Sequence, residues 1–260
     1  MNAAGGAPIE KRLGKLYLVP TPLDFGCDSL SPLNEVLPQA TIRRAAELQH
    51  WVCENAKTAR AFLKRVGEIR PLWVSIQEQQ LQELPREVHK KGDVGFDARN
   101  LLAPALQGLD MGLLSEAGMP AIADPGASVV RAAHTLGIGV HPLTGPVSLM
   151  LALAASGLNG QNFAFVGYVP SEPDLRAQRI KALEALAIKT GQTQMFIETP
   201  YRNEALLRAL LELLHADTRL AVSMGLTLET CRHHSGTPQE WKRGQWALNK
   251  QTPAVFAIGP

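Results

Sequence analysis

Between Leu113 and Gly126 the chain reads LLSEAGMPAIADPG, an apolar run followed by two glycine-and-proline turns, each led by an acid. Glu116 precedes Gly118 and Pro120; Asp124 precedes Pro125 and Gly126. Glycine lets backbone amides approach a ligand closely, and proline holds a loop's shape at low entropic cost. Two carboxylates in one such loop repel a phosphate and suit a ligand that carries a cation or hydroxyl groups. Two other turns share this build, Pro20-Thr21-Pro22 and Thr144-Gly145-Pro146. All three follow short apolar runs, and ligands of open parallel sheets sit beyond the carboxyl ends of strands. The helix that begins near Val147 offers free amide groups to an anion such as a carboxylate. Taken singly, each turn reads better as a tight connection; three at coincident strand ends bring the ligand reading level with it. Neither the Walker A pattern nor the dinucleotide fingerprint is present.

Other chemistry-bearing residues divide in the same way. Lys57, Arg60 and Lys64 fall on one face of a predicted helix, with Arg65 beside it. Such a strip either contacts phosphates or is a solvated face. His233 and His234 stand next to Cys231 and Arg232, but no further ligand pair has zinc spacing, so no metal is expected. Ser148 lacks the Gly-x-Ser-x-Gly context of a hydrolase elbow. Cys27, Cys53 and Cys231 are few, odd in number and far apart, which reads as reduced thiols in a cytoplasmic protein.

The elements that must position these residues alternate strand and helix. Strands are predicted at Lys15–Val19, Gln49–Cys53, Leu72–Ile76, Met111–Ser115 and Ile138–Leu143. Helices are predicted near Thr41–Leu48, Ala56–Val66, Asn100–Gln107, Val129–Leu136 and Val147–Ser156. This order predicts a mainly parallel sheet covered on both faces. After a hinge at Gly157–Gln161 come NFAFVGY, a helix from Asp174 to Ala187, TQMFIET, a helix from Asn203 to Leu214, RLAVSMG, CRHHSG and PAVFAIG. Little helix separates the last segments, which predicts a mixed sheet. The expected division is a loose tail over residues 1–13, an N-terminal α/β domain over 14–157 and a C-terminal α/β domain over 158–260.

The totals fit that division. A chain of 260 residues, 45% hydrophobic and 19% charged, can bury one large or two medium cores and is not expected to be disordered. A net charge of +2 permits a nucleic-acid partner without indicating one. The small-and-apolar stretch Val147–Leu158 is too short to span a bilayer, and MNAAGGAPIEKR lacks the apolar core of a signal peptide. No membrane association is expected.

The order of motifs resembles the tetrapyrrole methylase superfamily, the class III S-adenosylmethionine-dependent methyltransferases. Within it the chain is closest to the ribosomal RNA small-subunit methyltransferase I branch, as a divergent member. GKLYLVPTPL (14–23), CENAKTARAFL (53–63) and SEAGMPAIADPG (115–126) carry the resemblance. HPLTGPVSLMLALAASGL (141–158), FAFVGYVP (163–170) and MFIETPYR (195–202) continue it in family order.

The resemblance implies two α/β domains with S-adenosylmethionine in the cleft between them, and a homodimer. It also implies that Pro22, Ser115, Glu116, Ala117, Gly118 and Met119 line the cofactor site. Thr144, Gly145, Pro146, Val147, Ser148 and the strand around Ile197 join them, with Pro253 and Ala254 near the adenine. Glu198, Tyr201 and Arg202 match the family's Glu-x-Pro-x-Arg and are the candidate catalytic residues, either positioning the acceptor or capping a domain interface. Methyl transfer is an in-line displacement at a sulfonium, so holding donor and acceptor at near-attack distance supplies much of the catalysis.

The implied acceptor is ribosomal RNA; a small-molecule or tetrapyrrole-type acceptor, or cofactor binding without efficient catalysis, are the alternatives. The cofactor loops are largely kept, while charges of the acceptor-side segment in the second domain are lost. Met224-Gly225-Leu226-Thr227-Leu228 stands where relatives carry Arg-Glu-Leu-Thr-Lys, and Glu54-Asn55-Ala56-Lys57 where they carry Glu-Asp-Thr-Arg.

Overall fold

In the computed structural model the described residues are 12–24, 26–91, 93–244 and 246–260, the side chains of 89–91 excepted. The expected loose tail lies, but for residues 12 and 13, outside them. Contacts divide the chain into two compact units, Met1–Thr21 with Leu37–Gly145, and Pro22–Val36 with Pro146–Pro260. The division thus falls at Gly145–Pro146, ahead of the helix that precedes the expected hinge, and it assigns an early segment to the second unit.

The first unit holds β1 (Lys15–Leu18); α1 (Leu33–Val36) belongs to the early segment of the second. The first unit continues with α2 (Gln39–Glu47), β2 (His50–Cys53), α3 (Ala56–Ile69), β3 (Gln80–Glu83) and α4 (Arg86–Lys91). A 3-10 turn (Arg99–Leu102) then leads to α5 (Ala103–Leu106), β4 (Met111–Leu114), α6 (Ala127–Thr135) and β5 (Gly139–Pro142). The five strands form one parallel sheet in the order β3-β2-β4-β1-β5, as the alternation predicted. Leu16, Val52, Leu113, Val129, Ala133 and Ile138 are central to its core. In α6 the buried Val129, Ala132 and Ala133 recur at i, i+3 and i+4, one stripe of a helix. In α3 the same spacing buries Ala59, Phe62, Leu63 and Val66, and the Asn55 side chain caps the helix by accepting from the Lys57 amide at 2.9 Å. Trp51 is fully buried beside Gly112, where an added Cβ would lie 2.2 Å from the indole ring.

One strand is misplaced by the sequence pattern. LWVSI (72–76) is not a strand: Trp73 is 76% exposed, and the Ser75 amide and hydroxyl donate to the Glu78 carboxylate, closing a turn. The third strand is instead QLQE at Gln80–Glu83, parallel to β2 at the sheet edge. An edge strand exposed along one side needs no apolar run, so periodicity gives no sign of it.

The second unit runs through α7 (Ser148–Ser156), β6 (Phe163–Tyr168), α8 (Pro173–Thr190), β7 (Thr193–Glu198), α9 (Asn203–Leu213) and β8 (Arg219–Met224). It ends with β9 (Arg232–Gly236), α10 (Pro238–Arg243) and β10 (Ala254–Gly259). The sheet order is β6-β7-β10-β8-β9, with β6 and β7 parallel and the other pairs antiparallel, the expected mixed sheet. Phe196 and Phe256 are register partners and stack with ring centroids 6.0 Å apart. Leu206, Leu207 and Leu210 of α9 pack into the same core. Burying each leucine stabilises the unit by about 1.5–3 kcal/mol before entropy is counted. The early segment is tied in by Ser31, whose hydroxyl donates to the Thr227 carbonyl at 3.0 Å and whose amide donates to Asp24 at 2.9 Å.

Candidate functional site

In the first unit the sheet is parallel, so every strand delivers its carboxyl end to one edge. That edge carries Glu83, Glu54, Ser115, Val19-Pro20-Thr21 and Leu143-Thr144-Gly145. β1 and β4 are neighbours whose chains leave in opposite directions, β1 toward β2 and β4 toward β5, which is the switch point where such sheets open a crevice. The loops after these two strands are fastened there. Thr21 and Gly118 form an isolated antiparallel bridge with both backbone bonds made, at 2.9 and 3.1 Å. The Ser115 hydroxyl reaches the Gly118 carbonyl at 3.3 Å, and the Thr21 hydroxyl the Ser115 carbonyl at 3.4 Å. The third turn closes in from β5. A Cβ on Gly145 would lie 2.2 Å from the Pro20 side chain, and Thr41 donates to the Thr144 carbonyl at 2.7 Å. Ser115, Gly118, Thr144 and Gly145 are therefore held around the end of β1.

Three carboxylates gather at this edge. Glu54, at the end of β2, accepts the Glu116 amide at 3.1 Å, and Glu116 in turn accepts the Thr58 hydroxyl at 3.3 Å. Burial, reinforced by the Glu54 charge and then that of Glu116, pushes the Asp124 carboxyl up to about 7 against an opposing hydrogen bond from Ser115. Negative charge is thus crowded and partly desolvated, a setting that favours a cation. Sequence reasoning named Glu116 and Asp124 and left Glu54 out of the site. Its signal was present, since it directly follows the apolar run WVC at a strand end.

The second turn is a strained device. Ala121, Ala123 and Gly126 have positive φ (66°, 63° and 137°), as does Gly118 of the first turn (79°), and alanine seldom adopts this conformation. The loop is braced from a distance. One Asp93 oxygen accepts the Gly126 amide at 2.7 Å and the Ser128 amide at 2.9 Å, so it caps α6 in place of a local side chain. Burial opposes ionisation of Asp93, yet the Ser128 and Gly126 bonds and the Arg131 charge hold its carboxyl below the usual range.

In the second unit the candidate residues separate. Glu198 is buried, and its Oε1 accepts the Thr199 amide at 2.7 Å, the Thr199 hydroxyl at 3.1 Å and Arg202 Nε at 2.8 Å, while the second Arg202 nitrogen lies 2.6 Å away. The Arg202 guanidinium also stands over the Tyr201 ring at 5.3 Å, and Tyr201 is 64% exposed. This is a turn closed on itself, with the acid and base of the motif consumed by each other. Ala254 lies opposite Glu198 and Val255 opposite Ile197 across the β7–β10 ladder. The Pro253 carbonyl accepts the Gly225 amide at 3.3 Å. Pro146 and Val147 lead into α7, whose N-cap Val147 supplies no side-chain bond. Pro22 opens the early segment of this unit and is buried.

Elsewhere, Lys57, Arg60 and Lys64 are exposed along α3, with Arg65 half-buried. All three cysteines are free thiols. Among the described residues no group of three or more His, Cys, Asp or Glu could hold a metal ion, and no helix is long and apolar enough to cross a membrane.

Two solved structures share this architecture. The uroporphyrin-III-C-methyltransferase from Thermus thermophilus superposes with a TM-score of 0.52 at 20% identity, covering 95% of this chain and 94% of that one. The methyltransferase CobJ gives 0.55 at 12% identity, with coverage of 95% and 94%. At these identities the likeness speaks for the fold, two α/β units with one parallel and one mixed sheet. Residues 39–240 match the family model described as tetrapyrrole (corrin/porphyrin) methylases. The chain belongs to this family and is a methyltransferase. It is 32% identical over 222 residues to the ribosomal RNA small subunit methyltransferase I of Mesorhizobium japonicum, covering 85% of this chain and 67% of that protein. The proteins of that name from Halalkalibacterium halodurans and Bacillus subtilis are each 31% identical over 251 and 253 residues. Those matches cover 94% and 95% of this chain and 75% and 74% of the relatives.

Proposed function

We propose that the protein transfers a methyl group from S-adenosylmethionine to ribosomal RNA of the small subunit. The observation that carries the reading is the carboxylate-rich edge of the first unit, where Glu54, Glu116 and Asp124 surround loops fastened by Thr21 and Gly118. The donor set fits the cofactor: carboxylates suit its ammonium and sulfonium charges and ribose hydroxyls, and close-approach backbone suits the polar edge of a base. When bound, S-adenosylmethionine supplies an electrophilic methyl on sulfur. The chain's part is to hold it still. Ser115–Met119 provide backbone polar groups, Gly145 gives room beside Pro20, and Glu116 is oriented by Thr58.

The acceptor follows from the relatives' names, which favour ribosomal RNA over a tetrapyrrole or other small molecule. The exposed Lys57, Arg60 and Lys64 begin three residues past the site carboxylate Glu54, so α3 leads from the loop edge and its cations serve as a phosphate track. A homodimer in the cytoplasm belongs to the same reading.

Calorimetric titration with S-adenosylmethionine and S-adenosylhomocysteine tests the first half: saturable one-to-one binding is expected, and no binding of either would remove it. Incubation of labelled cofactor with small ribosomal subunits lacking the modification tests the second. Label in the RNA supports the acceptor; binding without label under conditions where a relative transfers removes it.

A further inference from the structure

The antiparallel β8–β9 ladder places Ser223 opposite His233. Strand alternation puts Cys231, His233 and Ser235 toward one face and His234 toward the other. There His234 stacks on Trp246 and meets Trp241 edge-on, both with centroids 4.4 Å apart. On the first face His233 bridges two groups. Its Nε2 lies 3.1 Å from the Cys231 sulfur and its Nδ1 lies 2.9 Å from the Ser223 hydroxyl. Ser223 is buried and fixes the ring, whereas Cys231 is half-buried and His233 exposed, so a small reagent can reach the sulfur.

With the Nδ1 hydrogen donated to Ser223, Nε2 presents a lone pair to the thiol. A nucleophile within reach of a base that a third group orients is the arrangement that activates cysteine. The surroundings make the base necessary. Burial pushes the Cys231 thiol up, so near neutrality the sulfur keeps its proton. Few charges compete for that proton. Glu229 and Arg232 flank Cys231 in sequence, and Arg232 lies over Trp246 at 4.7 Å. Glu240 acts on His234 on the opposite face. Asp24 belongs to the segment that Ser31 ties to Thr227, while α7, packed on β8 and β9, has the sequence SLMLALAAS and brings no titratable side chain.

We propose that Cys231 is an oxidative modification site at which His233 is the general base. The thiol proton passes to Nε2 as the sulfur attacks one oxygen of a hydroperoxide. The S–O bond forms, the O–O bond breaks, and the departing oxygen takes up a proton to leave as water or an alcohol. The cysteine is oxidised by two electrons to the sulfenic acid and the peroxide is reduced. The adjoining turn makes the change consequential. The Cys231 amide donates to the Leu228 carbonyl at 3.0 Å, and Thr227 sits at φ 69°, so added bulk on the sulfur bears on a tight and strained turn.

The test treats the full chain with stoichiometric hydrogen peroxide, traps sulfenic acid with dimedone and quantifies each cysteine peptide by mass spectrometry from pH 6 to 9. The wild type should label at Cys231 about a hundredfold faster near neutrality than His233→Ala, the low end of what a positioned base supplies. Its rate should reach a plateau within that range. His233→Ala should instead climb steadily with pH as the bare thiol ionises, and Ser223→Ala should fall between. Equal rates in a His233→Ala chain that melts like the wild type would overturn the proposal. Should that variant fail to fold, the wild-type profile decides alone: a plateau supports the base, and a steady climb removes it.

Discussion

Thr21 and Gly118, ninety-seven positions apart in the numbering, exchange both of their backbone hydrogen bonds at 2.9 and 3.1 Å. This bridge converts two loose connections after β1 and β4 into one rigid rim, and Gly145 fits against the Pro20 side of it. Gly145→Ala would drive a methyl into Pro20, with nothing free to move aside. Overpacking of this kind costs about 1–3 kcal/mol. We expect that loss in urea denaturation, together with at least a tenfold loss of S-adenosylmethionine affinity by calorimetry. Gly160→Ala, where nothing lies within 4 Å, should leave both unchanged.

Asp124 makes the rim sensitive to pH. Its carboxyl is raised from 3.8 to about 7, so between those values the folded chain binds the extra proton. By linkage, this contribution to stability is fully present below pH 4 and is lost as pH rises through 7. Asp124→Asn should flatten that part of the stability profile and raise the melting point at pH 8 by a few degrees, about 1 kcal/mol after allowance for solvent screening. Ionised Asp124 also attracts a cation. The affinity ratio of S-adenosylmethionine over S-adenosylhomocysteine should therefore grow from pH 6 to pH 8 in the wild type and stay flat in the variant.

Arg202 and Tyr201 should separate cleanly. Removing Arg202 leaves the buried Glu198 carboxylate without its charge partner, which costs about 3 kcal/mol. Arg202→Ala should lose that much by chemical denaturation, while Tyr201→Ala should stay within about 0.5 kcal/mol of wild type. A stable Arg202→Ala with abolished turnover would contradict the structural role and return the residue to the chemistry.

Asp93 braces the second turn from outside it. Asp93→Ala removes the cap of α6 and should cost about 1–2 kcal/mol at pH 7, with Asp93→Asn recovering much of it. Because its carboxyl lies below the usual range, the stabilisation is present above pH 4 and disappears as pH falls through the lowered value. The two Asp93 variants should converge with wild type in acid. Hydrogen exchange of the Gly126 and Ser128 amides reads the same loss locally.

Lys57, Arg60 and Lys64 changed together to Glu should weaken binding of small-subunit RNA and lower the slope of log K against log salt by about 3, near 0.9 per contact for a duplex. An unchanged slope would mean that the α3 face is solvated surface.

How far the sequence carries these conclusions differs from element to element. β1, β2 and β4 are buried on both faces, so KLYL, HWVC and MGLL show as apolar runs, and the helices between them show their stripes. β3 does not show, because QLQE meets the sheet along one side only. The rim loops are legible from Gly and Pro at strand ends. Glu54 was legible by the same logic, as the acid that directly follows an apolar strand. Asp93 had no local signal at all, since its partners stand 33 and 35 positions away. The pairing of Glu198 with Arg202 sits at the i, i+4 spacing of a local ion pair, so the structural alternative was open from the outset. The transfer of Pro22–Val36 to the second unit was not legible, because local patterns specify elements and not the unit in which they pack.

That transfer sets an order of events during synthesis. Everything the first unit needs has left the ribosome once residue 145 is clear, but Pro22–Val36 belongs with residues that do not yet exist. The early segment must wait as a looped-out strand of chain, with Leu33 and Ser31 lacking their eventual surroundings, until Thr227 and its neighbours emerge. Folding of the second unit is then a late, long-range closure rather than a local one, the step at which slow kinetics and misassembly concentrate in chains of this size.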